Sequence, residues 1–274
     1  MGISPFHFLT FTYIVKDRNH TVYKGGRKME LTHRFFQLDT EWCVVHVPER
    51  PNGFGILILG DKNHFVDENT SFWMQNLGRF QTVEYLIRQG YTVFYSNLYG
   101  RNWGSPDALF LAKRLYLTVM KSEILNERIH ILAEGMGALV ALQLMDSITD
   151  NIRAAALVNP CIDLKAHIEH EKSYKFFYKS LLRELKKAYK IGDFEAKDTI
   201  HKLLPDMKYD SEPPVGIWQS TNSAAFRPEL HTRKFEELRE ELKKPIFVSY
   251  HIAEKRYNFG QSVCQFYKRN QGEL

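Results

Sequence analysis

The sequence predicts an α/β protein with a mostly parallel central sheet, antiparallel strands at its N-terminal side and a helical insertion, and three observations lead there. From Gly55 onward, short apolar runs alternate with amphipathic stretches of helical period. Before Gly55 the apolar residues fall in extended segments, two of them joined by Gly25-Gly26. Between residues 161 and 212 the alternation stops, and it resumes after Pro213-Pro214. Strands alternating with helices need right-handed crossovers, which make neighbouring strands parallel and put helices on both faces.

Each element follows in chain order. Thr21–Lys24, Met29–Leu38 and Trp42–Val47 read as strands, and Gly-Gly between the first two is a hairpin signal. Pro48–Gly53 breaks the chain, and Gly55–Gly60 is a continuous apolar run typical of a strand buried on both faces. Phe80–Gln89 has helical period and closes at Gly90, which suits a left-handed cap; Tyr91–Ser96 is the next strand. Asp107–Leu125 is helical behind Pro106, Arg128–Leu132 is a strand, Met136–Met145 a helix and Ile152–Val158 a strand. The last elements are strand Val215–Trp218, helix Glu229–Leu242, strand Pro245–His251 and helix Gln261–Arg269. The expected organisation is a core of residues 1–160 and 213–274 with a cap at 161–212, whose two helical patterns part at Ile191-Gly192-Asp193.

The 274 residues are 44% apolar, 14% aromatic and 25% charged, enough for a sizeable core, which excludes disorder, collagen and coiled coil. A net charge of +5 is too mild at this length to imply nucleic acid by itself. Cys43, Cys161 and Cys264 are odd in number and far apart, so neither a disulfide framework nor a zinc knuckle is expected. The apolar run Pro5–Val15 has no basic region before it and falls short of the ~20 residues that span a bilayer. The expectation is a cytoplasmic protein with no transmembrane segment.

The strand Arg128–Leu132 runs into Ala133-Glu134-Gly135-Met136-Gly137-Ala138, and a helix begins at once. This turn resembles the nucleophile elbow, G-x-S-x-G, of the α/β-hydrolase superfamily, where crowding by neighbouring backbone demands small residues. Gly55–Gly60 resembles the strand before that superfamily's oxyanion loop. Asn97-Leu-Tyr-Gly100-Arg-Asn-Trp-Gly104-Ser105 resembles its D-x-R-G-x-G-x-S loop, with Asn97 for the usual Asp. The insertion stands where the superfamily carries a helical cap, and the order of elements matches from about residue 40 to residue 270. The resemblance implies acyl-transfer chemistry by a Ser-His-acid triad.

The residues at the three triad positions depart from that pattern. Gly135 stands at the nucleophile's place and has no side chain to attack with. Ser223, in Ser220–Ser223, matches the acid, and Tyr257, in Lys255–Phe259, matches the histidine, with His251 nearby. A serine cannot stabilise an imidazolium electrostatically, and a phenol of pKa about 10 is a poor base near neutrality. Gly60-Asp61 replaces the usual His-Gly, placing a carboxylate where negative charge would have to develop. Backbone donors at Met136 and near Asp61 or Lys62 are expected to leave a bare anion-binding turn at this helix N-terminus. Asp61, Lys62, Glu134, Met136 and Gly137 are therefore the expected ligand-binding positions.

Three functional readings stay open. In the first, the protein is a pseudoenzyme with a degenerate triad that binds a small ligand under its cap or docks a protein or other macromolecule. In the second, it is a hydrolase or acyltransferase on an ester or amide with a displaced nucleophile, Cys161 or Ser105; their plain readings are a packing residue and a helix start. In the third, it is a basic scaffold for nucleic acid or an anionic membrane surface. Its basis is Lys172, Lys175, Lys179, Arg183, Lys186, Lys187 and Lys190 around an apolar stripe of Phe177, Leu181, Leu185 and Tyr189, with Tyr174, Phe176 and Tyr178 interleaved. The plain reading of that helix is a stripe packed on the core with solvated lysines.

His64, Asp163 and His167 join Asp61, Glu134 and Cys161 at expected strand ends, where open parallel sheets bind ligands. No metal is expected, because His167-Ile-Glu169-His170-Glu171 lacks the i, i+4 histidine pair of H-E-x-x-H. No cofactor is expected either, since Gly135-Met-Gly137 lacks the third glycine of a dinucleotide fingerprint.

Overall fold

The structure is a computed structural model and describes residues 16–24, 27–192, 204, 209–222, 225–252 and 259–272, with side chains from residue 32 onward. The Gly25-Gly26 turn, Ser223, Tyr257 and most of the second helical pattern of the insertion lie outside the described residues. The strands β1 (Lys16–Lys24), β2 (Arg27–Leu38) and β3 (Glu41–Val47) are antiparallel, and β3 pairs antiparallel with β5 (Thr92–Ser96). From there β4 (Gly55–Leu59), β6 (Ile129–Glu134), β7 (Ile152–Val158), β8 (Val215–Ser220) and β9 (Ile246–His251) are all parallel. Together they form one nine-stranded sheet of order β1-β2-β3-β5-β4-β6-β7-β8-β9.

The continuous apolar runs are explained by burial on two sides. In β4, Leu57 and Leu59 enter one core while Ile56 and Ile58 enter the other; in β7, Ala155 and Leu157 face the first and Ala154 and Ala156 the second. Successive strand side chains point to opposite faces, so a strand covered on both must be apolar throughout. One cover is formed by α3 (Pro106–Ser122), α4 (Gly137–Ser147) and α7 (Thr232–Glu241), which contribute Leu111, Val140 and Phe235. The other is formed by α1 (Phe72–Gln75), α2 (Leu77–Arg88) and α8 (Phe259–Asn270), which contribute Trp73, Leu86 and Tyr267.

Between β7 and β8 the chain leaves the sheet and forms α5 (Leu164–Glu171) and α6 (Lys175–Tyr189). The apolar stripe of α6 differs at one end from the expected one. Leu181 and Leu185 are buried and Tyr189 packs beside them, but Phe177 is 62% exposed, and Tyr178 takes its place on the inner face. Tyr178 shares a face with Leu181, Leu182 and Leu185, so the helix is turned slightly from the strict i+4 reading. Helix α2 begins at Leu77, three residues ahead of the expected start, because the Asn76 side chain caps it by accepting from the Arg79 N–H at 3.3 Å.

The return to the sheet is pinned by one cation. Arg239, on α7, is fully buried and donates to the carbonyls of Tyr209, Ser211, Pro213 and Pro245 at 3.0–3.3 Å. Among the described residues, no helix is long and apolar enough to cross a membrane.

Candidate functional site

The strand β6 ends in a tight turn at Gly135, whose φ of 53° is left-handed and suits glycine. The Gly135 N–H donates to the Val158 carbonyl at 2.9 Å, and its carbonyl accepts from the Cys161 N–H at 2.9 Å. The chain then enters α4 through Gly137, where a Cβ would overlap the Leu59 carbonyl of the neighbouring strand. Backbone packing thus holds the elbow on both sides.

Asp61 faces this turn by register. In the parallel pair of β4 and β6, Leu59 lies opposite Ala133, so two residues further along Asp61 reaches the level of Gly135. The His64 N–H closes a turn on the Asp61 carbonyl at 2.8 Å, and Asp61 Oδ1 accepts the Met136 N–H at 2.9 Å. A Cβ at Gly135 would overlap the Asp61 carboxylate, 2.8 Å from Oδ2 and closer still to the other carboxylate atoms. The N–H after the elbow, the donor that would stabilise a developing oxyanion, is therefore committed to a carboxylate of the same chain.

The other sequence-derived positions are engaged within the protein as well. Glu134 is held bidentately by Arg79, with Nε 2.8 Å from Oε2 and Nη2 on Oε1. Lys62 Nζ lies 5.6 Å from the Trp103 ring centroid and 5.5 Å from that of Phe226. The Met136 thioether accepts the Trp103 N–H at 3.1 Å. Asp163 caps α5 by accepting from the Ala166 N–H at 2.9 Å. His64 is buried beside the elbow, with Nε2 3.0 Å from the Ser96 carbonyl. Asn97 donates to Glu41 at 2.6 Å.

Both candidate displaced nucleophiles are buried. Cys161 is fully buried; burial first, then the carboxylates of Asp61 and Asp163, pushes its thiol well above the usual range, against the opposing effect of Lys62. Ser105 is buried at the N-cap of α3, where Oγ accepts from the Ala108 N–H at 3.4 Å ahead of Pro106.

Four residues that sequence reasoning did not single out organise the surroundings: Trp103, Phe226, His231 and Arg79. Trp103 takes a left-handed φ of 48°, donates Nε1 to Glu184 at 2.9 Å and offers its carbonyl to the Tyr189 hydroxyl at 2.9 Å. His167 stacks on Trp103 at 5.5 Å between ring centroids, and His170 stacks on Tyr174 at 5.6 Å. His231 Nδ1 accepts from the N–H groups of Ile162 and Asp163, both at 3.3 Å. With Met136, Leu139, Cys161, Leu181 and Leu185, Trp103 and Phe226 make an apolar cluster that joins the elbow to α6. A local signal existed only for Trp103, which sits between Gly100 and Gly104 in the loop after β5.

A cleft of about 930 Å³ opens between α2 and α8 and is lined in part by Glu134, Trp73, Arg79, Trp218 and His251. Its two arginines are paired, Arg79 with Glu134 and Arg88 with Glu84. Among the described residues, no group of three His, Cys, Asp or Glu side chains is placed to hold a metal.

No family model matches the chain, and no curated protein matches it by sequence. Solved structures do match. The acylaminoacyl peptidase of Pyrococcus horikoshii superposes with a TM-score of 0.60 at 13% identity, over 93% of this chain but 42% of that one. A lipase/esterase from Lactobacillus plantarum gives 0.57 at 11% identity over 93% of this chain and 98% of its own. The Pyrococcus furiosus esterase Pf2001 gives 0.57 at 13%, over 95% and 92%. These similarities, with the sheet order and the elbow turn, establish that the chain has the α/β-hydrolase fold.

Proposed function

We propose that this protein is a catalytically silent hydrolase-fold protein, a pseudoenzyme that acts by binding or docking rather than by turnover. One observation carries the reading: the Asp61 carboxylate stands where a side chain at Gly135 would begin and takes the Met136 N–H. Acyl transfer at an elbow needs a nucleophile there and donors free for the oxyanion. Here a negative charge lies at the first place and engages the second.

The surroundings support the same reading. Cys161 is a buried neutral thiol and Ser105 is a helix cap, so neither favours a displaced nucleophile. The apolar cluster of Trp103, Met136, Leu185 and Phe226 brings the insertion directly against the elbow, which favours a docking role over reception of a substrate-sized ligand.

The test is incubation with activated esters and a serine-reactive fluorophosphonate. Neither turnover above a heat-denatured control nor labelling is expected. Robust labelling of any residue near the elbow would overturn the reading.

A further inference from the structure

We infer that the start of α6 docks this protein onto an anionic lipid surface, with Phe176 and Phe177 as the inserted wedge and the surrounding lysines facing the headgroups. Phe176 is 81% exposed and Phe177 62%, and their rings meet edge to face at 6.0 Å; Tyr174 beside them is 46% exposed. Adjacent phenylalanines this open to water form a local apolar projection, which marks an interaction site rather than ordinary surface. They are not the packing face of the helix. That face is Leu181 and Leu185, buried against Trp103 and its neighbours.

The charge of α6 itself is one-sided, although Glu169 and Glu171 stand at the end of α5 just ahead of it. Glu184 is the only acidic residue of α6, and its carboxylate is turned inward, bound to Trp103 Nε1 and to Arg101. Lys172 and Lys190, at the two ends, pair with Glu169 and Asp107 at 2.5 Å. Between them Lys175, Lys179, Arg183 and Lys187 are exposed, and α6 offers them no other carboxylate. A helix fastened by one face, with aromatic and cationic side chains on the other, lies in a membrane interface with its rings below the headgroups and its ammonium groups among them.

The chemistry favours lipid over nucleic acid. Bases stack on rings spaced along a groove, whereas these two rings stand edge to face at one end of a helix. Most of the cations are lysines, point charges suited to a diffuse anionic surface, whereas forked guanidinium recognition of phosphate needs arginine.

This deepens the docking role proposed above and rests on it for the purpose of the contact. The two fail separately, because fluorophosphonate labelling tests the silent site and vesicle binding tests this surface. The full chain is sedimented with phosphatidylcholine vesicles and with mixed phosphatidylcholine–phosphatidylserine vesicles. Binding is expected only to the mixed vesicles, with loss as salt rises. Phe176→Ala with Phe177→Ala, and separately Lys175→Glu with Lys179→Glu, are each expected to weaken it by about tenfold or more while leaving the melting midpoint unchanged. Equal binding to neutral vesicles, no vesicle binding, unchanged binding in either variant, or binding to an oligonucleotide in place of vesicles would each overturn the inference.

Discussion

Asp61 and Gly135 share one small volume: the carboxylate of the first fills the space that a side chain on the second would need. Placing a serine at Gly135 is therefore expected to harm the protein rather than activate it. Gly135→Ser puts a side chain at φ 53°, at a cost of roughly 1–2 kcal/mol, and overpacks it against Asp61 for about 1–3 more. In an Asp61→Gly background the overpacking disappears and only the backbone cost remains. A double-mutant cycle followed by urea unfolding should give a coupling of about 1 kcal/mol or more. Strictly additive effects would mean that the two sites do not compete for space.

The three thiols provide a second test. Burial pushes Cys43 up to about 12, Cys161 well above the usual range and Cys264 upward as well, so none is a thiolate near neutrality. Iodoacetamide at mildly alkaline pH is expected to leave the folded protein unlabelled and to label all three cysteines in denaturant, read by intact mass. Rapid labelling of native Cys161 would revive it as a nucleophile.

Much of this architecture could be read from the sequence because its causes are local. The uninterrupted Gly55–Leu59 run marks a strand covered on both faces, and Gly135 between Glu134 and Met136 marks the tight turn from strand to helix. Asp61 was legible as a misplaced carboxylate; that it reaches Gly135 depends on the register of β4 against β6, which no single strand encodes. The Arg79–Glu134 pair joins residues 55 positions apart, and Trp103 reaches Glu184 across 81. Such contacts leave no periodic trace. Phe177 stands outside the buried stripe because each i+4 step drifts about 40° around the helix, so a strict i+4 row leaves the packed face within a few steps.

Acid is expected to unfold the protein early. Burial is the main cause lowering His46 well below its usual value, His64 and His231 to about 4, and His130 and His167 to about 3. Between these values and the unfolded pKa of about 6.5, the unfolded chain binds protons that the folded protein refuses, so stability rises with pH. The contribution is whole above about 6.5 and drains away as pH falls toward 4, at about 1.4 kcal/mol per pH unit for each histidine. His130 isolates one such group: it is fully buried, stacked on Tyr267 at 4.3 Å, with neither ring nitrogen hydrogen-bonded among the described residues. His130→Phe should flatten the pH dependence of urea stability between pH 6 and 5 by about 1.4 kcal/mol. An unchanged slope would show that His130 already titrates normally.

Arg239 makes the last prediction, which concerns how the inserted segment is tied back to the sheet. Its guanidinium bonds the Tyr209, Ser211 and Pro213 carbonyls, which lead into β8, and the Pro245 carbonyl, which leads into β9. Burial lowers its pKa only to about 10, so the cation is retained at neutral pH. Arg239→Met keeps most of the apolar stem but strips donors from four carbonyls at once, three of which lie on the segment that leads into β8. Since each buried unsatisfied group costs about 1–3 kcal/mol, a loss of about 3 kcal/mol or more is expected. Because the damage is local, proteolysis should nick the 209–214 segment of the variant before the core unfolds, with cuts mapped by mass spectrometry. Arg239→Lys supplies one compact ammonium in place of the fork and should recover only part of the loss. Full recovery by lysine would mean that charge, rather than the four directed hydrogen bonds, fastens the segment.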